Sequence, residues 1–265
     1  MAQTGPGNPI PCDFCRAPAV ARSMSAALAC NSLDGMLKCF SFAHAVESGC
    51  IKYPKKMFYA FLKGALFILM NRIDTALLDQ ALHLVARRLE ERGAEAETLV
   101  VCGGSALLAL GLVSRTTKDV DVLAGVDAVS GLVDPRPLSP ALYQVVDEVG
   151  EELDLPRGWL NAGPADQVLM GLPEGFLSRL IRREYGAKFT IFYPDRFDLI
   201  HLKLFACIDQ GEGRHSRDLK ALAPTQAEML SAARWVCTQD GSEVFPSIVR
   251  QAVTQLGYPH LAEQF

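Results

Sequence analysis

No stretch of the 265-residue chain is apolar for long enough to cross a bilayer. The most membrane-like run, Met57–Met70, is about 14 residues long and contains Lys63, against the roughly 20 residues that a spanning helix needs. No secretory leader is expected either, because Met1–Pro11 is rich in Gly and Pro and has no apolar run. Excess positive charge is also absent. A net charge of −4 excludes a surface built throughout as an electrostatic trap for nucleic acid, although a local basic face remains compatible with it. Internal repeats and low-complexity tracts are lacking, and with 49% hydrophobic and 21% charged residues disorder and collagen-like structure are excluded. The cysteines after residue 70 (Cys102, Cys207 and Cys237) are far apart and lie in apolar runs, so they form no disulfide framework. They are expected to be reduced core residues of a cytoplasmic domain.

What is present is unevenly distributed. Residues 1–69 hold 7 Lys/Arg against 3 Asp/Glu and five of the eight cysteines, whereas residues 70–265 hold 19 against 27 and three. Within the first segment Cys12-Asp13-Phe14-Cys15 has the spacing of a zinc knuckle or redox pair, and Cys30, Cys39, His44 and Cys50 are its available partners. A second close cysteine pair is missing. The segment therefore reads as a poorly ordered extension or as sequence upstream of a misplaced start, with a zinc-binding nucleic-acid adaptor as the alternative. Deleting it is expected to leave the activity of the remainder intact.

From Met70 onward the periodicities are clear. Ile73, Leu77, Leu78, Ala81, Leu84, Val85 and Leu89 follow helical spacing up to Gly93. Thr98–Cys102 reads as a strand that ends at Gly103-Gly104, Ser105–Leu112 as a buried helix, and Asp119–Leu123 as a half-buried strand. Ser139–Leu155 and Glu174–Tyr185 read as helices, the second with Arg179, Arg182 and Arg183 as a basic face for RNA, and Lys188–Tyr193 reads as a third strand. After Pro194 the pattern predicts helices over Asp195–Asp209, Arg214–Leu222, Thr225–Thr238 and Ser242–Leu256, the third opened by the Thr225-Gln-Ala-Glu228 capping box. The expected fold is α+β: a small mixed sheet in residues 70–194 and a helical lobe in residues 195–265.

The chemistry concentrates between Leu99 and Leu123. A strand feeding Gly103-Gly104-Ser105 at a helix start offers backbone N–H groups and a hydroxyl to a phosphate. Asp119 and Asp121, two apart on a strand, project from one face while Val120 and Val122 enter the core. Paired carboxylates suit Mg²⁺, a hard cation that keeps water and substrate phosphate in its shell. Two other phosphate or nucleophile motifs are excluded by spacing, since Leu108 stands where a dinucleotide fingerprint needs its last glycine and Leu107 where a serine-nucleophile elbow needs one. Further on, Lys203 lies on an otherwise apolar helix with Leu199, Ile200, Leu202, Leu204 and Phe205, so its ammonium either snorkels to solvent or enters a site.

Taken together, Gly104-Ser105-Ala-Leu-Leu108, Asp119-Val-Asp121, Lys203-Leu-Phe-Ala206 and Arg217-Asp218-Leu219 resemble the polymerase-beta type of nucleotidyltransferase, and within it the AbiEii-like toxins of type IV toxin–antitoxin systems. The likeness spans roughly Asp74 to Pro224. It implies Mg²⁺-dependent transfer of a nucleotidyl group from a nucleoside triphosphate (NTP) to a tRNA or protein acceptor, with an antitoxin protein as a partner and no membrane association. Asp119 and Asp121 would hold the metal, and Gly103, Gly104, Ser105 and Arg217 the nucleotide. Lys203 would neutralise phosphate, and Asp218 would orient that lysine or act as general base, with Arg214 and His215 nearby. The chain departs from the pattern in lacking a third carboxylate on Lys188–Tyr193, where only Asp166 and Asp195 are near in sequence. It also has no Lys-x-Asp-Trp motif and has an acid, Asp209, where a basic residue is frequent. A catalytically inactive nucleotide-binding or interaction module is the remaining alternative.

Overall fold

The structure, a computed structural model, describes residues 72–211 and 213–265. The Cys12–Cys15 pair and the rest of the 1–69 segment lie outside the described residues.

An N-cap opens the first helix among the described residues, α1 (Thr75–Glu91), where the Asp74 carboxylate accepts from Leu77 N–H at 2.8 Å. It buries Leu78, Ala81, Leu84, Val85 and Leu89, as the spacing predicts, and Leu82 as well, whereas Leu77 is half-buried. On its outer side Arg88 and Arg92 pair with Glu148 of α3 (Pro140–Glu152). Between these helices lie β1 (Glu97–Cys102), α2 (Gly103–Ala109), β2 (Val120–Asp127) and the short β3 (Gly131–Val133). They are followed by β4 (Leu160–Asn161), the short helix α4 (Asp166–Met170), β5 (Ile181–Gly186) and β6 (Phe189–Tyr193). Four helices complete the chain: α5 (Arg196–Gln210), α6 (Arg214–Leu222), α7 (Gln226–Cys237) and α8 (Phe245–Gln255).

The sheet runs in the order β3-β2-β1-β6-β5, with β4 paired to β2. It is mixed: β1 is antiparallel to β2 and parallel to β6, and β4 is parallel to β2. Alternation along β1 and β2 divides the interior. Leu99, Val101, Val120 and Val122 enter the main core with α1–α3 and the C-terminal helices, while Val100, Cys102, Leu123 and Ala124 join Phe176 in a smaller cluster on the opposite face. Cys102 and Cys207 are buried and Cys237 is half-buried. The α+β class with a helical C-terminal lobe is thus as the sequence predicts, and no helix among the described residues is long and apolar enough to cross a membrane.

One element differs. Glu174–Tyr185 is not a helix but a single 3-10 turn, Phe176–Arg179, followed by β5, which forms a hairpin with β6. Leu177, Leu180, Ile181 and Tyr185 fall at helical intervals, yet pairing with β6 captures the segment as an edge strand with four exposed positions. The expected basic helical face therefore does not form. Arg179 makes two bonds to the buried Asp198 carboxylate, at 2.7 and 3.0 Å, Arg182 pairs with Glu184, and Arg183 covers the Tyr193 ring.

Candidate active site

The strand β1 delivers the chain to Gly103, whose φ of +69° is the left-handed conformation that glycine adopts without steric penalty. The missing side chain matters twice, because a Cβ at 103 would overlap the Asp121 carboxylate. Gly104 serves packing instead: a Cβ there would come within 2.8 Å of Thr117 Oγ1 and 3.1 Å of Arg115 Nη2. Ser105 is fully buried and its hydroxyl donates to the Cys102 carbonyl at 3.1 Å, which ties the start of α2 to the end of β1. Replacing Gly103 by Ala should destabilise the fold by about 1–3 kcal/mol through the strained backbone alone and push Asp121 from its place. Thermal unfolding together with a nucleotide-binding assay would reveal both effects, and an unchanged melting temperature would count against this account of Gly103.

Asp119 stands immediately before β2, and Asp121 is its second residue. Pairing with Cys102 on one side and Asn161 of β4 on the other fixes Asp121 in the middle of three strands. Asn161 Oδ1 accepts from Gly163 N–H at 2.9 Å, which leaves its amide nitrogen to bond the Asp121 carboxylate. Burial, reinforced by the like charge of Asp119, still pushes the Asp121 carboxyl up to about 6, against the pull of Arg214 and Lys203. Asp119 carries a second sign of unmet charge, since its Oδ1 is buried with no hydrogen-bond partner among the described residues.

Across from these carboxylates lies α5, which begins at the Asp195 cap, with Asp198 N–H donating to the Asp195 carboxylate at 2.9 Å. Leu199, Leu202, Lys203, Ala206, Asp209 and Gln210 form one stripe along it. That stripe, Cys102, Gly103, Asp121, Leu123, residues of the 163–170 segment, Arg214 and His215 line a cleft of about 470 Å³. This volume is within the ~300–1,000 Å³ usual for small-molecule sites. Lys203 does not snorkel: it is 4% exposed and its Nζ donates to Asp218 Oδ2 at 2.8 Å. Arg115 Nε and Nη2 each donate to the same carboxylate at 2.6 Å. Burial alone would raise the Asp218 carboxyl, but the Arg115 bonds and the Lys203 charge outweigh it and hold it below the usual carboxylate range. Both Asp218 oxygens are engaged and its side chain does not line the cleft, an arrangement suited to fixing Lys203. Desolvation, with the charges of Lys203 and Arg214, pushes the His215 imidazole down to about 4, so it is neutral at pH 7. Cys102 also faces the cleft, but burial pushes its thiol up and leaves it protonated and inert.

Of the residues expected from the sequence, Gly103, Asp121, Lys203, Arg214 and His215 line the cleft. Asp119 adjoins Asp121, while Gly104, Ser105 and Asp218 are buried behind the lining, and Arg217 is exposed on α6 outside it. Asp166 lines the cleft but pairs with Arg136 at 2.6 Å, and Asp195 is committed to its cap. Sequence reasoning missed Arg115, Asn161 and Gln167. Arg115 is anchored by the Ile73–Thr117 bridge, a contact between segments that carry no shared pattern. Its one available signal was a cation in the loop between the glycine and aspartate motifs.

The residues fit a small hard cation in one respect: the orphaned Asp119 oxygen and the charge-starved Asp121 supply two carboxylates where a cation would relieve both. Among the described residues no group of three or more His, Cys, Asp or Glu comes together, so further ligands would have to be substrate and water. The chain is thus an α+β protein whose mixed sheet and α5 bring Asp121 and the buried Lys203, held by Asp218, to one cleft beside Asp119. The chain belongs to the family described as "Nucleotidyltransferase of unknown function (DUF6036)", whose model matches residues 76–220. Searches among curated proteins and among solved structures return no match.

Proposed function

We propose that this cleft binds an NTP with Mg²⁺ and transfers its nucleotidyl group to an acceptor hydroxyl, releasing pyrophosphate. The observation that carries the reading is Asp121 and Lys203 in the lining of one cleft, with the adjoining Asp119 carboxylate holding an oxygen that has no partner among the described residues. Asp119 and Asp121 would hold the metal, which when bound supplies charge neutralisation to the triphosphate and a nucleophile-activating field. Gly103 lets the backbone approach the phosphates, with Gly104 and Ser105 holding that turn in shape. Lys203, kept in place by Asp218 and Arg115, offers its remaining N–H bonds to phosphate oxygen, a cation preorganised where negative charge develops on the leaving group. Arg214 in the cleft lining and Arg217 on the adjacent surface provide positive charge for the outgoing pyrophosphate or for the acceptor.

The acceptor belongs to the proposal as a tRNA or protein, and so does a toxin-type role for a cytoplasmic enzyme restrained by an antitoxin. Those finer readings rest on the resemblance carried by the Gly104–Leu108, Asp119–Asp121, Lys203–Ala206 and Arg217–Leu219 motifs, without support from the Arg179, Arg182 and Arg183 side chains. A second reading, nucleotide binding without turnover, is favoured by one observation: the strand position beside Asp121 holds the neutral Asn161 in place of a third carboxylate. Incubating the full chain with each of four α-labelled NTPs, Mg²⁺, and RNA or protein fractions separates the two. Transfer predicts label in one fraction that disappears with EDTA, whereas saturable NTP binding with no labelled product identifies the binding module.

A further inference from the structure

The wall of the cleft contributed by residues 163–170 carries a polar group that the phosphate chemistry does not use. Pro164, Gln167 and Met170 succeed one another at intervals of three, and all three line the cleft, to which Phe205 of α5 adds a further apolar side chain. Gln167 is only 7% exposed. Its orientation follows from a chain of hydrogen bonds with a single possible polarity. The Thr238 hydroxyl donates to the Trp235 carbonyl at 2.7 Å, so at 3.0 Å from Gln239 Nε2 its oxygen acts as acceptor. Gln239 therefore presents Oε1 to Gln167, which donates from Nε2 at 2.8 Å. A backbone carbonyl, which can only accept, confirms the direction: the Gly171 oxygen lies 3.3 Å from the same Gln167 nitrogen. Both donor hydrogens are consumed, and Gln167 Oε1 is left with no donor among the described residues, on a side chain that borders the cleft.

We infer that Gln167 Oε1 reads the nucleobase, so that the cleft prefers an NTP whose base carries an amine at the purine 6- or pyrimidine 4-position, ATP or CTP, over the counterparts with a carbonyl there, ITP and UTP. This rests on the nucleotide reading of the cleft. The apolar lining accepts the faces of a base, and the fixed acceptor beside it favours an amine N–H on the base edge. An amine satisfies that oxygen. A carbonyl in the same place would set two acceptors against each other, and the amide cannot turn to relieve them because Gln239 and Gly171 hold its nitrogen. A site built around a fixed polar partner rejects a ligand lacking the complement more sharply than an apolar pocket does.

The test is equilibrium binding of ATP, ITP, CTP and UTP to the full chain in the presence of Mg²⁺, for the native protein and for Gln167→Met, which keeps length and removes the acceptor. Within at least one pair, ATP over ITP or CTP over UTP, the native protein should show about a 10- to 100-fold preference, falling to near unity in the variant. Equal affinities within both pairs, or a preference that survives in Gln167→Met, would overturn the inference while leaving the nucleotide reading standing. If none of the four binds, the nucleotide reading itself fails and the inference with it. If Gln167→Met does not accumulate, equal affinities within both native pairs still overturn the inference, and Gln167→Ala takes its place in testing whether a native preference is lost.

Discussion

Replacing Asp119 and Asp121 together by Asn should abolish Mg²⁺-dependent nucleotidyl transfer, a loss on the order of 10³-fold or more, since metal-assisted charge stabilisation is worth several kcal/mol. The same change should leave the metal-free fold at least as stable. The folded-state carboxyl of Asp121 is raised to about 6 by burial and by Asp119, so its ionised form is disfavoured in the fold relative to the unfolded chain. That penalty is absent below the unfolded value near 4, grows as pH rises towards about 6, and is complete above it. At pH 8 the double variant is therefore expected to gain about 1–3 kcal/mol, a gain that vanishes near pH 4. Denaturant unfolding in EDTA at both pH values measures the second effect, and label transfer the first. Loss of stability at pH 8 would mean that these carboxylates are structural, and retained transfer would move the site elsewhere.

The opposite balance holds at Asp218. Its carboxylate, 2% exposed, joins Lys203 and Arg115, and substitution by Asn strands a buried lysine and half-exposes the need of an arginine. Removing one member of such a buried cluster costs about 3–5 kcal/mol. Here the folded carboxyl is held below its unfolded value, so the stabilisation is fully present above that unfolded value and is lost as pH falls through the lower folded one. The native protein and Asp218→Asn should therefore differ strongly at pH 7 and converge at the acid end, below about pH 4. Conservative repair is informative too: Asp218→Glu should recover part of the stability but little transfer, because Lys203 would be displaced by a methylene. A difference between native and Asn-substituted protein that persists unchanged at pH 3 would refute the ionic account of this cluster.

Much of this arrangement is legible in the chain because its local signals agree. The helical pattern that follows Pro194 and the capping box at Thr225/Glu228 place α5 and α7 to within a residue of their observed starts. Val120 and Val122 point Asp121 away from the core for the same local reason. What escaped is decided by pairing at a distance. β5 contains too few apolar residues to show alternation and is a strand only because β6 is beside it. Arg115 meets Asp218 across 103 residues, Asn161 reaches Asp121 through a two-residue strand, and the donor direction of Gln167 depends on a threonine one helix away. Lys203 illustrates the boundary: periodicity marks it as an anomaly on an apolar face, but only the buried Asp218 explains why it stays there.

The central claim is that Asp119, Asp121 and Lys203 together receive a metal–triphosphate. A crystal structure of the full chain grown with Mn²⁺ and a non-hydrolysable NTP analogue tests it most directly. The account predicts anomalous density for the cation against Asp119 Oδ1 and the Asp121 carboxylate, with the triphosphate between Gly103 and Lys203. A nucleotide bound away from this cleft, or a triphosphate in the cleft with no cation at the two aspartates, would contradict it.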